Sequence, residues 1–142
     1  MDRQLLRSQI ERHEGIRLKP YLDTATPPRL TIGYGRNLDD RGISLDEADY
    51  MLANDIDKVE RELDTIDEYA ALNCIRQTVI ANMAYNLGFS GLMQFRHMWK
   101  HLARHDYPGA AKEMLDSKWA RQVGNRAIEL AKIMRTGEVR GE

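Results

Sequence analysis

Glu14 closes an apolar-periodic segment directly before Gly15, and Asp23 and Thr31 follow in the stretch RHEGIRLKPYLDTATPPRLTIGYGRNL. A carboxyl at a helix terminus with a second carboxyl on an adjacent hairpin suits acid-assisted hydrolysis. One group gives its proton to a leaving oxygen, and the other stays ionised near the reacting centre. Carboxyls about 6.5–9.5 Å apart leave room for a water and give inversion, whereas about 5–5.5 Å gives a covalent intermediate and retention. The residue types leave both open. Taken singly, each residue has an ordinary role. A glutamate before a capping glycine is a solvated charge, Asp-Thr favours a turn, and Thr31 suits any strand.

The elements that must position these groups are legible around them. Residues 2–14 place Leu5, Leu6 and Ile10 one turn apart, with Asp2 to cap the start and Gly15 to take the left-handed position at the end. Pro20, Pro27, Pro28, Gly33 and Gly35 forbid a continuing helix. Leu18–Leu22 and Leu30–Tyr34 read as two strands joined by the DTATPPR loop. Asn37–Gly42 reads as a polar turn. Ser44 then opens a capping box with Glu47. A helix over 45–63 follows, with Leu45, Ala48, Met51, Leu52, Ile56, Val59 and Leu63 on one face.

After Asp67 every apolar pattern is helical. Residues 72–87 are apolar on most of the circumference, as in the middle of a bundle, and Gly88 stops that helix. Further helices are expected near 91–95, 96–105, 108–116, 117–123 and 125–135. The fold class is α+β: one domain over 1–142, with a small lobe of about 15–60 and a helical lobe of about 1–14 and 61–142.

Composition narrows the function classes. No run of 18 apolar residues is present, so no membrane insertion is expected. The N-terminus MDRQLLRSQIERHEG puts charges in every turn and does not read as a secretory signal, so residence in the cytoplasm until release is expected. Cys74 is the only cysteine, which precludes an internal disulfide; its apolar surroundings predict a buried small hydrophobe. Residues 1–71 carry 16 Asp and Glu against 10 Lys and Arg, and residues 72–142 carry 11 Lys and Arg against 6. With a pI of 6.4 this asymmetry reads as a dipolar surface and not as a nucleic-acid site. His97, His101 and His105 recur every four residues, on one helix face without HExxH, and read as a solvated cationic face rather than a metal site.

The chain resembles the phage-type lysozymes, the family of the T-even phage endolysin. The resemblance rests on HEGIRLKPYLDT at 13–24, TIGYG at 31–35, ANMAYNLG at 81–88, SKW at 117–119, NRA at 125–127 and RTG at 135–137. It implies a lysozyme-like fold, a β-hairpin lobe and a helical lobe joined by the long helix. Glu14 matches the family's general acid, Asp23 its second carboxylate, and Thr31 the threonine that helps hold the attacking water. Leu30, Gly33, Tyr85, Asn86 and Arg126 fall at substrate-binding positions, and Arg126 matches an arginine that pairs with the acid. Asn82 and Trp119 match core positions. Departures are the TATPPR insertion, a short stretch before the long helix, and Arg36 where a larger relative has histidine.

The resemblance further implies a monomeric, cofactor-free and metal-free muramidase. It would cut the β-1,4 bond between N-acetylmuramic acid and N-acetylglucosamine in peptidoglycan, by inversion. The setting would be phage-driven host lysis. The enzyme would wait in the host cytoplasm, be released by a holin-type partner and act on the wall in the periplasm. A chitin-oligomer glycosidase on the same scaffold and an inactive wall-binding module are the alternatives.

Overall fold

Residues 1–139 are described in the structure, a computed structural model. The chain forms two units, Met1–Met51 and Leu52–Glu142, and the boundary falls inside a single long helix. The helix at residues 3–14 groups with the sheet, whereas the expected lobes put residues 1–14 with the helices.

The first unit begins with α1 (Arg3–Glu14). Asp2 accepts from the Leu5 N–H at 2.9 Å, and the Gly15 N–H donates to the Glu11 carbonyl at 3.0 Å. Gly15 has φ +67°, a conformation that costs a side-chain-bearing residue energy and costs glycine none. Three antiparallel strands follow in the order β1 (Arg17–Leu22), β2 (Leu30–Gly33) and β3 (Arg36–Asn37). Tyr21 pairs with Thr31 and Leu22 with Leu30, and the register slips between Arg17 and Tyr21. Pro20, which has no N–H for the ladder, sits at that slip on an edge strand.

Two features here differ from expectation. A third strand exists, only two residues long, and the supposed polar turn is a short helix, α2 (Leu38–Arg41). Asn37 caps it by accepting from the Asp40 N–H at 3.1 Å, and Asp39 and Asp40 fill its first turn. Next comes α3 (Leu45–Leu63). Its capping box forms as expected: the Ser44 N–H donates to Glu47 Oε1 at 2.8 Å and the Glu47 N–H to Ser44 Oγ at 3.3 Å. Only Val59 and Leu63 of its apolar stripe are buried, while Leu45, Met51, Leu52 and Ile56 remain exposed.

The second unit contains α4 (Asp67–Ala70), α5 (Cys74–Met93), α6 (Arg96–Ala103), α7 (Tyr107–Leu115), α8 (Lys118–Val123) and α9 (Asn125–Thr136). Leu63, Ile80, Met83, Leu92, Met98, Leu102, Met114 and Met134 are fully enclosed in its core. Four are methionines, whose unbranched stems fill irregular gaps. Among these helices α7 packs most extensively on α9, and both contribute buried alanines (Ala110 and Ala111; Ala127 and Ala131) that permit close approach. Gly88 interrupts α5 as expected: at φ +79°, ψ +160° it leaves helical geometry, and a second helical segment runs on to Met93, where a separate short helix near 91–95 was expected.

Two further expectations are corrected. Cys74 is exposed, as the first residue of α5 beside the capping Asn73, although Leu72 two positions earlier is buried. The three histidines do not share a solvated face. α6 ends at Ala103, so His105 lies beyond it at φ +58°. His101 is half-buried, with Nδ1 2.8 Å from Asp106 Oδ2 and Nε2 3.9 Å from Glu113 Oε1. Asp106 caps α7 by accepting from the Gly109 N–H at 3.0 Å, and this bond, then His101, holds its carboxyl below the usual range.

Candidate active site

α1 delivers Glu14 to the hairpin. The β2–β3 turn runs through Gly33, Tyr34 and Gly35, with both glycines at positive φ. A side-chain carbon at Gly35 would stand 2.7 Å from Glu14 Oε2 and 3.0 Å from its Cδ. The carboxyl therefore rests on bare backbone, in space that only glycine leaves open. The residue as a whole is exposed, so a ligand can reach it.

Asp23 and Thr31 are brought together by one residue between them. The Arg29 N–H donates to Asp23 Oδ1 at 2.8 Å, and the Arg29 carbonyl accepts from the Asp23 N–H at 3.0 Å. The same carbonyl accepts from Thr31 Oγ1 at 2.9 Å. A further amide, from Ala25, reaches Asp23 Oδ1 at 3.0 Å. Two backbone amides of its own loop thus converge on Asp23 Oδ1. Thr31 is 3% exposed and, among the described residues, is the one buried polar side chain. Because its hydroxyl donates to Arg29, its lone pairs are left to accept from a water.

The hairpin is braced against the start of α3 by Arg36. Its guanidinium grips Glu47 with two bonds, Nη1 to Oε1 at 2.9 Å and Nη2 to Oε2 at 2.6 Å, and Nη1 also donates to the Gly42 carbonyl at 3.0 Å. A planar fork on a carboxylate fixes orientation as well as distance. Arg36, followed by the Ser44 amide and hydroxyl, lowers the Glu47 carboxyl from its ordinary 4.5 to about 2.

Of the residues expected to bind substrate, Leu30 and Gly33 lie on β2 of the first unit. Leu30 is partly exposed, and its N–H donates to Asp39 Oδ2 at 2.7 Å. Tyr85, Asn86 and Arg126 belong to the second unit. Tyr85 is exposed. Asn86 Oδ1 accepts from the indole N–H of buried Trp119 at 2.7 Å. Arg126 donates to Asn82 Oδ1 from Nε at 3.0 Å and from Nη2 at 2.6 Å. Asn82 thus orients the arginine instead of merely filling the core.

The sequence model of the phage lysozyme family matches residues 11–135, the span that contains Glu14, Asp23, Thr31 and Arg126. The chain belongs to the phage lysozyme family. This is a family of glycoside hydrolases, and the α+β architecture agrees with it. The chain is 27% identical to the pre-baseplate central spike protein Gp5 of Enterobacteria phage T4, over 92% of its own length and 27% of that protein. It is 31% identical to the probable T4-type lysozyme 1 of Dictyostelium discoideum, over 66% of its own length and 54% of the relative. It therefore spans about a quarter and about half of these two relatives.

Arg29 and the acids of α2 were missed by sequence reasoning. The acids had a signal: Asn37 followed by Leu-Asp-Asp is a capping residue before an acidic first turn. Arg29 had none, because it holds Asp23 and Thr31 through backbone atoms that any residue type except proline supplies.

Proposed function

We propose that this chain is an endolysin that hydrolyses the β-1,4 bond between N-acetylmuramic acid and N-acetylglucosamine in bacterial peptidoglycan. Glu14 is the general acid and protonates the leaving oxygen. Asp23 and Thr31 hold the attacking water. With Asp23 Oδ1 engaged by two amides, Oδ2 is the oxygen that takes the water's proton, while Thr31 accepts a hydrogen bond from the same water. Such a path inverts the anomeric centre. Leu30 and Gly33 are the sugar-binding candidates of the first unit, and Tyr85, Asn86 and Arg126 those of the second. No cofactor enters the reaction.

The observation that carries this reading is the Glu14 carboxyl lying on Gly35, in the same hairpin whose loop peptide holds both Asp23 and Thr31. Its biological setting is host lysis by a monomer that waits in the cytoplasm and reaches the periplasmic wall through a holin-type partner. Among the described residues no helix is long and apolar enough to cross a membrane.

Glu14→Gln keeps the shape and removes the proton. Turnover of purified peptidoglycan is expected to fall by about 10²–10⁴-fold. Near-normal turnover would remove Glu14 as the acid. A comparison with chitin tests the substrate: chitin cleavage without peptidoglycan cleavage would favour the other glycosidase.

The match to the spike protein over 92% of the chain supports a second reading, in which the same chemistry is carried on a phage particle. Detection of the chain in purified particles would favour it, and its confinement to the soluble lysate would favour the endolysin.

A further inference from the structure

We infer that Arg29 is a positioning residue whose ion pair with Asp40 fixes the peptide that carries both Asp23 and Thr31. This rests on the reading of Asp23 and Thr31 as the groups that hold the attacking water.

The loop that returns from Asp23 contains Thr24, Ala25, Thr26, Pro27 and Pro28, all exposed. The two prolines have no N–H to tie it down. Its last residue nevertheless meets demanding geometry: the Arg29 N–H, and twice its carbonyl, hold the two candidate groups. That peptide needs an anchor from outside the loop, and α2 supplies it. Arg29 Nη1 donates to Asp40 Oδ2, and the same oxygen accepts from Asn37 Nδ2 at 3.1 Å. One position on, the Leu30 N–H is taken by Asp39 Oδ2 at 2.7 Å. The unexpected helix α2 therefore presents its two first-turn acids to the end of the inserted loop, one to a side chain and one to the backbone.

The pair is half-exposed, with the Arg29 and Asp40 side chains 40% and 55% accessible. Ion pairs of that kind add little to global stability. A positional role and a structural role therefore predict different measurements. If the pair sets geometry, breaking it leaves folding intact and slows the chemical step, because small misplacements of a reacting group cost up to about 10²-fold.

The test compares Asp40→Asn and Arg29→Met with Arg29→Lys, which keeps the charge, by steady-state hydrolysis of soluble peptidoglycan fragments and by thermal unfolding. Expected for the first two is a fall in kcat of roughly 10-fold to 10²-fold with KM little changed and an unaltered melting temperature. Arg29→Lys recovers most of kcat. Wild-type kcat in both Asp40→Asn and Arg29→Met would overturn the inference. So would losses that track a drop in melting temperature and that lysine does not rescue. Should Asp40→Asn unfold through its link to Asn37, Arg29→Met decides alone, since it keeps the stem and leaves α2 intact. Asp23→Asn separates the two levels. An inactive wild type, or a fully active Asp23→Asn variant, would remove the reading on which the inference stands. An inactive Asp23→Asn beside normal Asp40→Asn and Arg29→Met variants would remove the inference alone.

Discussion

The Glu14 carboxyl and the α-carbon of Gly35 occupy adjoining space, so that a methyl group on Gly35 would come within 2.7 Å of Oε2. Helix α1 and the β2–β3 turn are thereby fitted at the carboxyl proposed as the general acid. The atom in the way is the free end of a flexible side chain, so it yields before the backbone does. Gly35→Ala is accordingly expected to displace the carboxyl more than it disturbs the fold. Peptidoglycan turnover should fall by about 10²-fold for a shift near 1 Å. The positive φ of +75° adds a stability cost of about 1–2 kcal/mol. Kinetics and thermal unfolding of the same variant check both parts, and unchanged turnover would show that the carboxyl position is not critical.

The Arg36–Glu47 fork makes a pH prediction. The Glu47 carboxyl is lowered to about 2 by Arg36, then by Ser44. Its folded value is below its unfolded one, so its contribution to stability is complete above about 4.5 and is lost as pH falls toward about 2. Glu47→Gln is therefore expected to melt below the wild type at neutral pH, with the gap closing between those two values. Melting temperatures of both proteins across that window test this, and a gap constant with pH would contradict it.

In the helical unit, Arg76 closes the end of α9. Nε donates to the Met134 carbonyl at 2.6 Å and Nη2 to the Arg135 carbonyl at 3.1 Å, while the guanidinium stacks 3.6 Å from the centre of the Tyr107 ring. Arg76→Ala leaves those terminal carbonyls without their cationic partner and should cost about 1.5–3 kcal/mol in denaturant unfolding. Arg76→Lys is expected to recover only part, since an ammonium cannot reproduce the fork and the stack together.

The contrast between Ser44 and Arg29 shows what was legible in the chain. The capping box at Ser44 and Glu47 is a local exchange at fixed spacing, and it appears where the spacing puts it. The Asp2 cap, Gly15 and the long helix over 45–63 follow the same logic. β3 was not legible because two residues carry no alternation to detect. Helix α2 was hidden by polar residues that suit a turn equally well. Cys74 misled because periodicity reports the average surroundings of a helix and not those of its first residue. Glu14 and Gly35 are 21 positions apart, and their contact depends on the path of the chain between them. Nor could residue type show that Asp23 would be held by amides of its own loop.

The central claim is a water delivered by Asp23 and Thr31 to the sugar face opposite Glu14. The stereochemistry of the first product tests it most directly. Hydrolysis of a defined β-linked peptidoglycan fragment, followed by NMR before mutarotation, should show the new muramic acid end first as the α-anomer. A β-anomer appearing first would contradict the claim, since it would mean a covalent intermediate in place of the held water.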